Sequence, residues 1–111
     1  MKEQTTISQM RRGILEFCII SLISKGDIYS AELIDALKSA NLLVAEGTLY
    51  PLLSRLRKAS VLDYRWEESP SGPPRKYYTL TETGKDFLNT LDTAWGEIVT
   101  SVTQIREGND E

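Results

Sequence analysis

Between Leu56 and Leu62 the chain changes its hydrophobic period. Leu49, Leu52, Leu53 and Leu56 lie at i, i+3, i+4 and i+7, the spacing of one helix face. Leu62-Asp63-Tyr64-Arg65-Trp66-Glu67 then alternates apolar and charged residues, the spacing of a half-buried strand. A helix over 46–59 must therefore hand over to a strand over 62–68 within a few residues. Tyr77, Tyr78, Thr79 and Leu80 suit a pleated surface, so 75–80 is expected to be the partner strand. Ser69-Pro70-Ser71-Gly72-Pro73-Pro74 is expected to be a long loop at the hairpin tip, because proline cannot donate to a ladder. Pro51 lies beyond the tolerated first helical position, so a loosened first turn, not two helices, is expected around it.

Three more helices frame this unit. Residues 8–25 carry Met10, Ile14, Leu15, Phe17, Cys18, Ile19, Leu22 and Ile23 nearly all round, which requires cover on more than one side. Gly26 is a plausible stop. A second helix runs from about Ser30, a candidate N-cap, to Ala40, with Leu33, Ile34 and Leu37 on one stripe, and Asn41 breaks it. Thr81 is the candidate N-cap of a last helix reaching about Ile105. On that helix Leu88, Trp95 and Val102 are seven apart, and Leu91, Ile98 and Ile105 follow each by three. This is an a/d seam, and these six residues are the expected dimerisation surface. The tail from Glu107 to Glu111 is expected to fray.

Composition excludes more than it specifies. The 111 residues suffice for one ordinary domain, and 41% apolar content is that of a folded globular chain. Ile14–Ile23 is too short and too polar to span a bilayer, and the N-terminus lacks the apolar core of a secretory signal. A cytoplasmic protein with no membrane association is expected. A single cysteine and no histidine leave neither an internal disulfide, nor a cysteine-only metal site, nor the commonest general base. No cofactor, no metal and no catalytic residues are therefore expected. The net charge of −3 conceals an asymmetry. Residues 54–81 carry Arg55, Arg57, Lys58, Arg65, Arg75 and Lys76 against three acids, net +3, whereas residues 82–111 are net −5. A solvated charged face gives similar counts.

Helix, helix, helix, hairpin, helix is the order of a winged helix-turn-helix, mainly α with a β-hairpin wing. Residues 1–80 would form the DNA-binding unit, with helix 8–25 also packing at a dimer interface. Residues 81–111 would form a dimerisation helix and tail. In such a fold the third helix enters the major groove and the hairpin lies on the flanking backbone. Thr48, Tyr50 and Ser54 would approach base edges, while Arg55, Arg57, Lys58, Arg75 and Lys76 would meet phosphate. A two-fold dimer would read an inverted repeat in double-stranded DNA.

Glu46-Gly47-Thr48-Leu49-Tyr50-Pro51-Leu52-Leu53-Ser54-Arg55-Leu56 resembles the recognition-helix motif of the PadR family of transcriptional regulators. Gly72-Pro73-Pro74-Arg75-Lys76-Tyr77-Tyr78-Thr79-Leu80-Thr81-Glu82-Thr83-Gly84 resembles that family's wing and the turn into its last helix. The resemblance covers about residues 8–105. The short C-terminus resembles the subfamily with a single dimerisation helix, which includes multidrug-sensing repressors. It implies a homodimeric repressor of a nearby transporter or detoxification gene. It also implies a pore at the dimer centre where a tryptophan of the last helix stacks on planar aromatic molecules. Trp95 occupies that place, with Ile98 and Val99 beside it and Met10, Gly13 and Phe17 facing it from the first helix. Gly13 and Gly96 would open the room.

Each residue also has a plainer reading. Trp95 stands on a heptad core position and could be core alone. Tyr50 could be a partly buried aromatic, Arg75 and Lys76 edge charges that discourage strand pairing, and Cys18 a small core residue. Three functions stay open: a ligand-responsive repressor, a DNA-binding regulator without a small-molecule ligand, and a winged-helix protein-interaction module.

Overall fold

The apolar stripes close on one another as their periods require. The computed structural model describes residues 2–108. The elements are α1 (Lys2–Ser24), β1 (Ile28–Tyr29), α2 (Ser30–Ser39), α3 (Glu46–Lys58), β2 (Leu62–Ser69), β3 (Gly72–Leu80) and α4 (Glu82–Glu107). Ile19, Ile20 and Ile23 of α1, Leu33 and Leu37 of α2, Leu49, Leu53 and Leu56 of α3, and Leu62 and Tyr78 of the sheet form one buried cluster. This is a winged helix-turn-helix with a long C-terminal helix, mainly α, with a three-stranded antiparallel sheet.

Both short helices end in the same way. After α2, the Asn41 and Leu42 amides donate to the Lys38 and Leu37 carbonyls, with Asn41 left-handed at φ 64°. After α3, the Ser60 and Val61 amides donate to Arg57 and Leu56, with Ser60 at φ 66°. These are Schellman motifs, which satisfy the last carbonyls and turn the chain sharply. The second one delivers the chain from α3 straight into β2.

Four expectations need correction. First, α1 begins at Lys2, six residues earlier than its apolar pattern; residues 3–13 are exposed, so no burial period marks that part. Second, the sheet has a third strand. Ile28 and Tyr29 pair with Tyr78 and Tyr77, giving the order β1-β3-β2. The chain therefore enters α2 directly from a strand. The N-cap is Tyr29, whose amide donates to Glu32 Oε1 at 3.3 Å, and Ser30 is the first helical residue.

Third, the wing tip is short. Ser69 pairs with Gly72 across the two residues Pro70 and Ser71, and Pro73 and Pro74 belong to β3. The prolines are tolerated because β1 pairs only with residues 77 and 78, so β3 has one neighbour at its wing end. The ladder also shifts register between Glu67 and Ser69, opposite the prolines. Fourth, α3 runs through Pro51 as a single α-helix without a loosened turn. The carbonyl that loses its partner belongs to Gly47, which is exposed to solvent.

The last helix is anchored at its start. Thr81 Oγ1 accepts from the Gly84 amide at 2.9 Å, as expected of an N-cap, and its hydroxyl lies 2.5 Å from the Ser60 carbonyl oxygen. Gly84 is obligatory, since a Cβ there would overlap the Val61 carbonyl oxygen and lie 2.7 Å from Leu80 Cδ1. Phe87, Leu88 and Leu91 then pack against the core. The first two seam positions, Leu88 and Leu91, are thus half-buried within their own chain, and the unpartnered seam begins at Trp95. Gly108, left-handed at φ 56°, caps α4; of the tail expected to fray, Asn109–Glu111 lie outside the described residues. No helix among the described residues is long and apolar enough to cross a membrane.

Candidate nucleic-acid interface and apolar groove

Because Leu49, Leu53 and Leu56 turn inward, helical geometry presents Thr48, Pro51, Ser54, Arg55 and Lys58 outward, and all five are exposed. Tyr50 is 44% exposed, and its hydroxyl lies 3.1 Å from Ser30 Oγ at the start of α2. That bond ties the two helices of the helix-turn-helix together. The expected DNA-facing residues of α3 therefore share one accessible surface, with Tyr50 at its edge.

The six cations of the basic segment fall into two groups. Arg55 pairs with Glu16 of α1 at 3.4 Å, Arg57 with Asp63 at 3.9 Å, and Arg65 with Asp27 at 3.2 Å and Glu67 at 2.5 Å. Lys58, Arg75 and Lys76 make no ion pair among the described residues. The paired three are at least half exposed, so their pairs are worth little and are easily exchanged for phosphate.

Arg75 and Lys76 are consecutive on a strand, so they project to opposite faces of the wing. Arg75 stacks over the Tyr29 ring at 4.6 Å, on the face shared with Arg65 and Tyr77. Lys76 Nζ sits 4.3 Å from the Tyr64 centroid and 5.3 Å from that of Trp66, on the other face. Arg57 reaches the same Tyr64 from α3 at 4.6 Å. The aromatic residues under these cations were not singled out in the sequence as part of a site. The alternation that marked β2 as a strand also places Tyr64 and Trp66 on one face, which was the available signal.

Apart from this surface, α1 and α4 enclose an open groove of about 590 Å³. Met10, Gly13, Phe17, Trp95, Ile98 and Val99 all line it, so the sequence-expected ligand residues do converge. The Phe17 and Trp95 rings lie 6.3 Å apart, tilted by 48°. A Cβ on Gly13 would meet nothing within 4 Å, so that glycine leaves room in the groove. Gly96 does not line it, because one helical step from Trp95 turns it away. Glu16 faces the separate cleft between α1 and α3, bounded also by Thr48, Pro51 and Arg55, and Gly13 borders both spaces. Met10, Ile98 and Val102 of its lining are exposed, and so are Ile7 and Ile105 beyond it. Burial pushes the Cys18 thiol up, which favours its protonated form. Among the described residues no cluster of histidine, cysteine and acidic side chains could hold a metal.

Comparison with known proteins agrees with this architecture. Residues 19–90 match the model of the transcriptional regulator PadR-like family. An uncharacterised protein of Lysinibacillus sphaericus is 31% identical over 104 residues, covering 91% of this chain and 95% of that protein. A PadR-like transcription factor from Bacteroides fragilis superposes with a TM-score of 0.78 at 50% identity, covering 91% of this chain and 98% of that one. A PadR-like transcriptional regulator from Bacillus cereus gives 0.81 at 36% identity, covering 91% and 99%.

Proposed function

The chain belongs to the PadR-like family of transcriptional regulators, and from that membership we propose that it is a homodimeric repressor released from operator DNA by a planar aromatic ligand. Regulators of this family bind DNA and are not enzymes. The observation that carries the finer reading is the α1–α4 groove. Its volume suits a drug-sized molecule, and nearly all its lining is apolar, with Trp95 40% exposed inside it. An aromatic face left open in this way offers stacking to a flat ligand and cation–π attraction to a positive one.

The exposed side chains continuing from the groove along α4 give a second chain an apolar surface to cover. In a two-fold pair each chain supplies one wall of the ligand site. A ligand that moves α1 acts on both sides of that helix, because Gly13 borders the groove and the α1–α3 cleft. Arg55 of the recognition helix lines that cleft and meets Glu16 of α1 across it. Ligand binding thereby changes the setting of α3 relative to its twin, and linkage requires DNA to weaken ligand binding by the same factor.

The test is fluorescence of Trp95 in a Trp66→Phe chain titrated with planar aromatic cations. Saturable quenching is expected, and Trp95→Ala should abolish ligand binding while the dimer still binds DNA. If no compound quenches and Trp95→Ala dissociates or unfolds the protein, the tryptophan is core and the ligand reading fails.

A further inference from the structure

Trp66 is 62% exposed and is not part of the buried cluster, on a strand whose Leu62 is buried and whose Tyr64 is half-buried. It pairs directly with Lys76 across the β2–β3 ladder, so the two side chains share a face of the wing. The Lys76 ammonium lies over both Trp66 and Tyr64, and Tyr64 meets Trp66 edge-on at 6.2 Å and 85°. Arg57 of α3 covers the same Tyr64, so this face is continuous with the recognition helix. The result is an exposed indole with the Lys76 ammonium held over it, beside the helix expected to enter the groove. A solvated strand face does not need a large ring there, whereas a polyanion with apolar sugars between its phosphates matches both properties.

Resting on the DNA-binding reading and refining it, we propose that Trp66 is a direct, non-ionic DNA contact. Its ring lies against deoxyribose of the duplex backbone while Lys76, held over the ring, meets the adjacent phosphate. The Lys76 contact displaces a counterion and the Trp66 contact does not, so salt separates the two residues.

The experiment measures binding of the full chain to a random-sequence duplex across a salt series. The variants are Trp66→Ala, Trp66→Phe and Lys76→Ala. In parallel, the fluorine resonance of fluorotryptophan at position 66, assigned by its loss in Trp66→Phe, is followed by NMR. Trp66→Ala should weaken binding about tenfold at every salt concentration with an unchanged slope. Trp66→Phe should keep most of the affinity, Lys76→Ala should lower the slope by about one, and the Trp66 resonance should move when DNA is added. If Trp66→Ala lowers the slope as Lys76→Ala does while the resonance stays still, the ring only positions Lys76 and the proposal falls. It falls equally if the resonance responds to protein concentration without DNA, which marks a contact between chains. Parent binding with a silent Trp66 overturns this proposal alone, and absence of salt-dependent binding by the parent overturns the DNA-binding reading with it.

Discussion

Two glycines of α4 offer a matched test of the packing described above. A Cβ on Gly84 would overlap the Val61 carbonyl oxygen and crowd Leu80, whereas one on Gly96 would meet nothing within 4 Å. Gly84→Ala gains at most about 1 kcal/mol of helix propensity. Against this stands overpacking at a backbone contact, about 1–3 kcal/mol. Displacing α4 also strains the Thr81 cap, whose hydroxyl bonds both the Gly84 amide and the Ser60 carbonyl, for about 1 kcal/mol more. The net loss is about 2 kcal/mol. Gly96→Ala incurs no clash and should gain up to about 1 kcal/mol. Urea unfolding followed by far-ultraviolet circular dichroism, at one fixed protein concentration, reads both. With a slope of about 2 kcal/mol/M the Gly84→Ala midpoint should fall by about 1 M and the Gly96→Ala midpoint should rise. Equal gains for the two variants would refute the close approach of α4 to Val61.

Three further outcomes follow from the same structure. Ile98→Asp, at a position 54% exposed, should give a folded monomer by sedimentation, whereas Leu91→Asp should also destabilise the chain, because Leu91 packs on the core. Lys58→Ala and Arg75→Ala should each flatten the salt dependence of DNA binding by about one unit; Arg55→Ala should do so by less, because Glu16 already offsets its charge. Burial raises the Tyr78 phenol and the Cys18 thiol above their ordinary values, so the fold favours their protonated forms. That stabilisation is complete below the ordinary values and is lost as pH rises through the raised ones, so stability should decline from about pH 8.5 for the thiol and from about pH 10 for the phenol. Slow alkylation of Cys18 in the native state at neutral pH checks the same burial.

The elements whose burial repeats with a helical or strand period were legible in the sequence. Leu49, Leu53 and Leu56 announce the inner face of α3, and the alternation from Leu62 announces β2. The rest lacked a period. Residues 3–7 form helix without burial, and Ile28–Tyr29 is too short to alternate. Pro73 and Pro74 fit within β3 only because that strand has a single neighbour there. A heptad repeat also cannot say which chain covers it: Leu88 and Leu91 obey the same spacing as Trp95 and Ile98 yet are covered by their own domain. The groove residues were legible through family resemblance, with the correction that Gly96 points elsewhere. The Glu16–Arg55 pair and the cations stacked on Tyr29, Tyr64 and Trp66 join residues distant in sequence, and only tertiary structure brings them together.

In the proposed function two copies of α3 read DNA from a two-fold dimer. Selection of bound duplexes from a random pool by the full chain tests it most directly, with Tyr50→Ala and Ser54→Ala run beside it. The expected result is an inverted repeat whose half-site centres lie about 10 bp apart or a multiple of that, and a changed half-site sequence for the two α3 variants. Recovery of a single half-site, or of no preferred sequence, would contradict it.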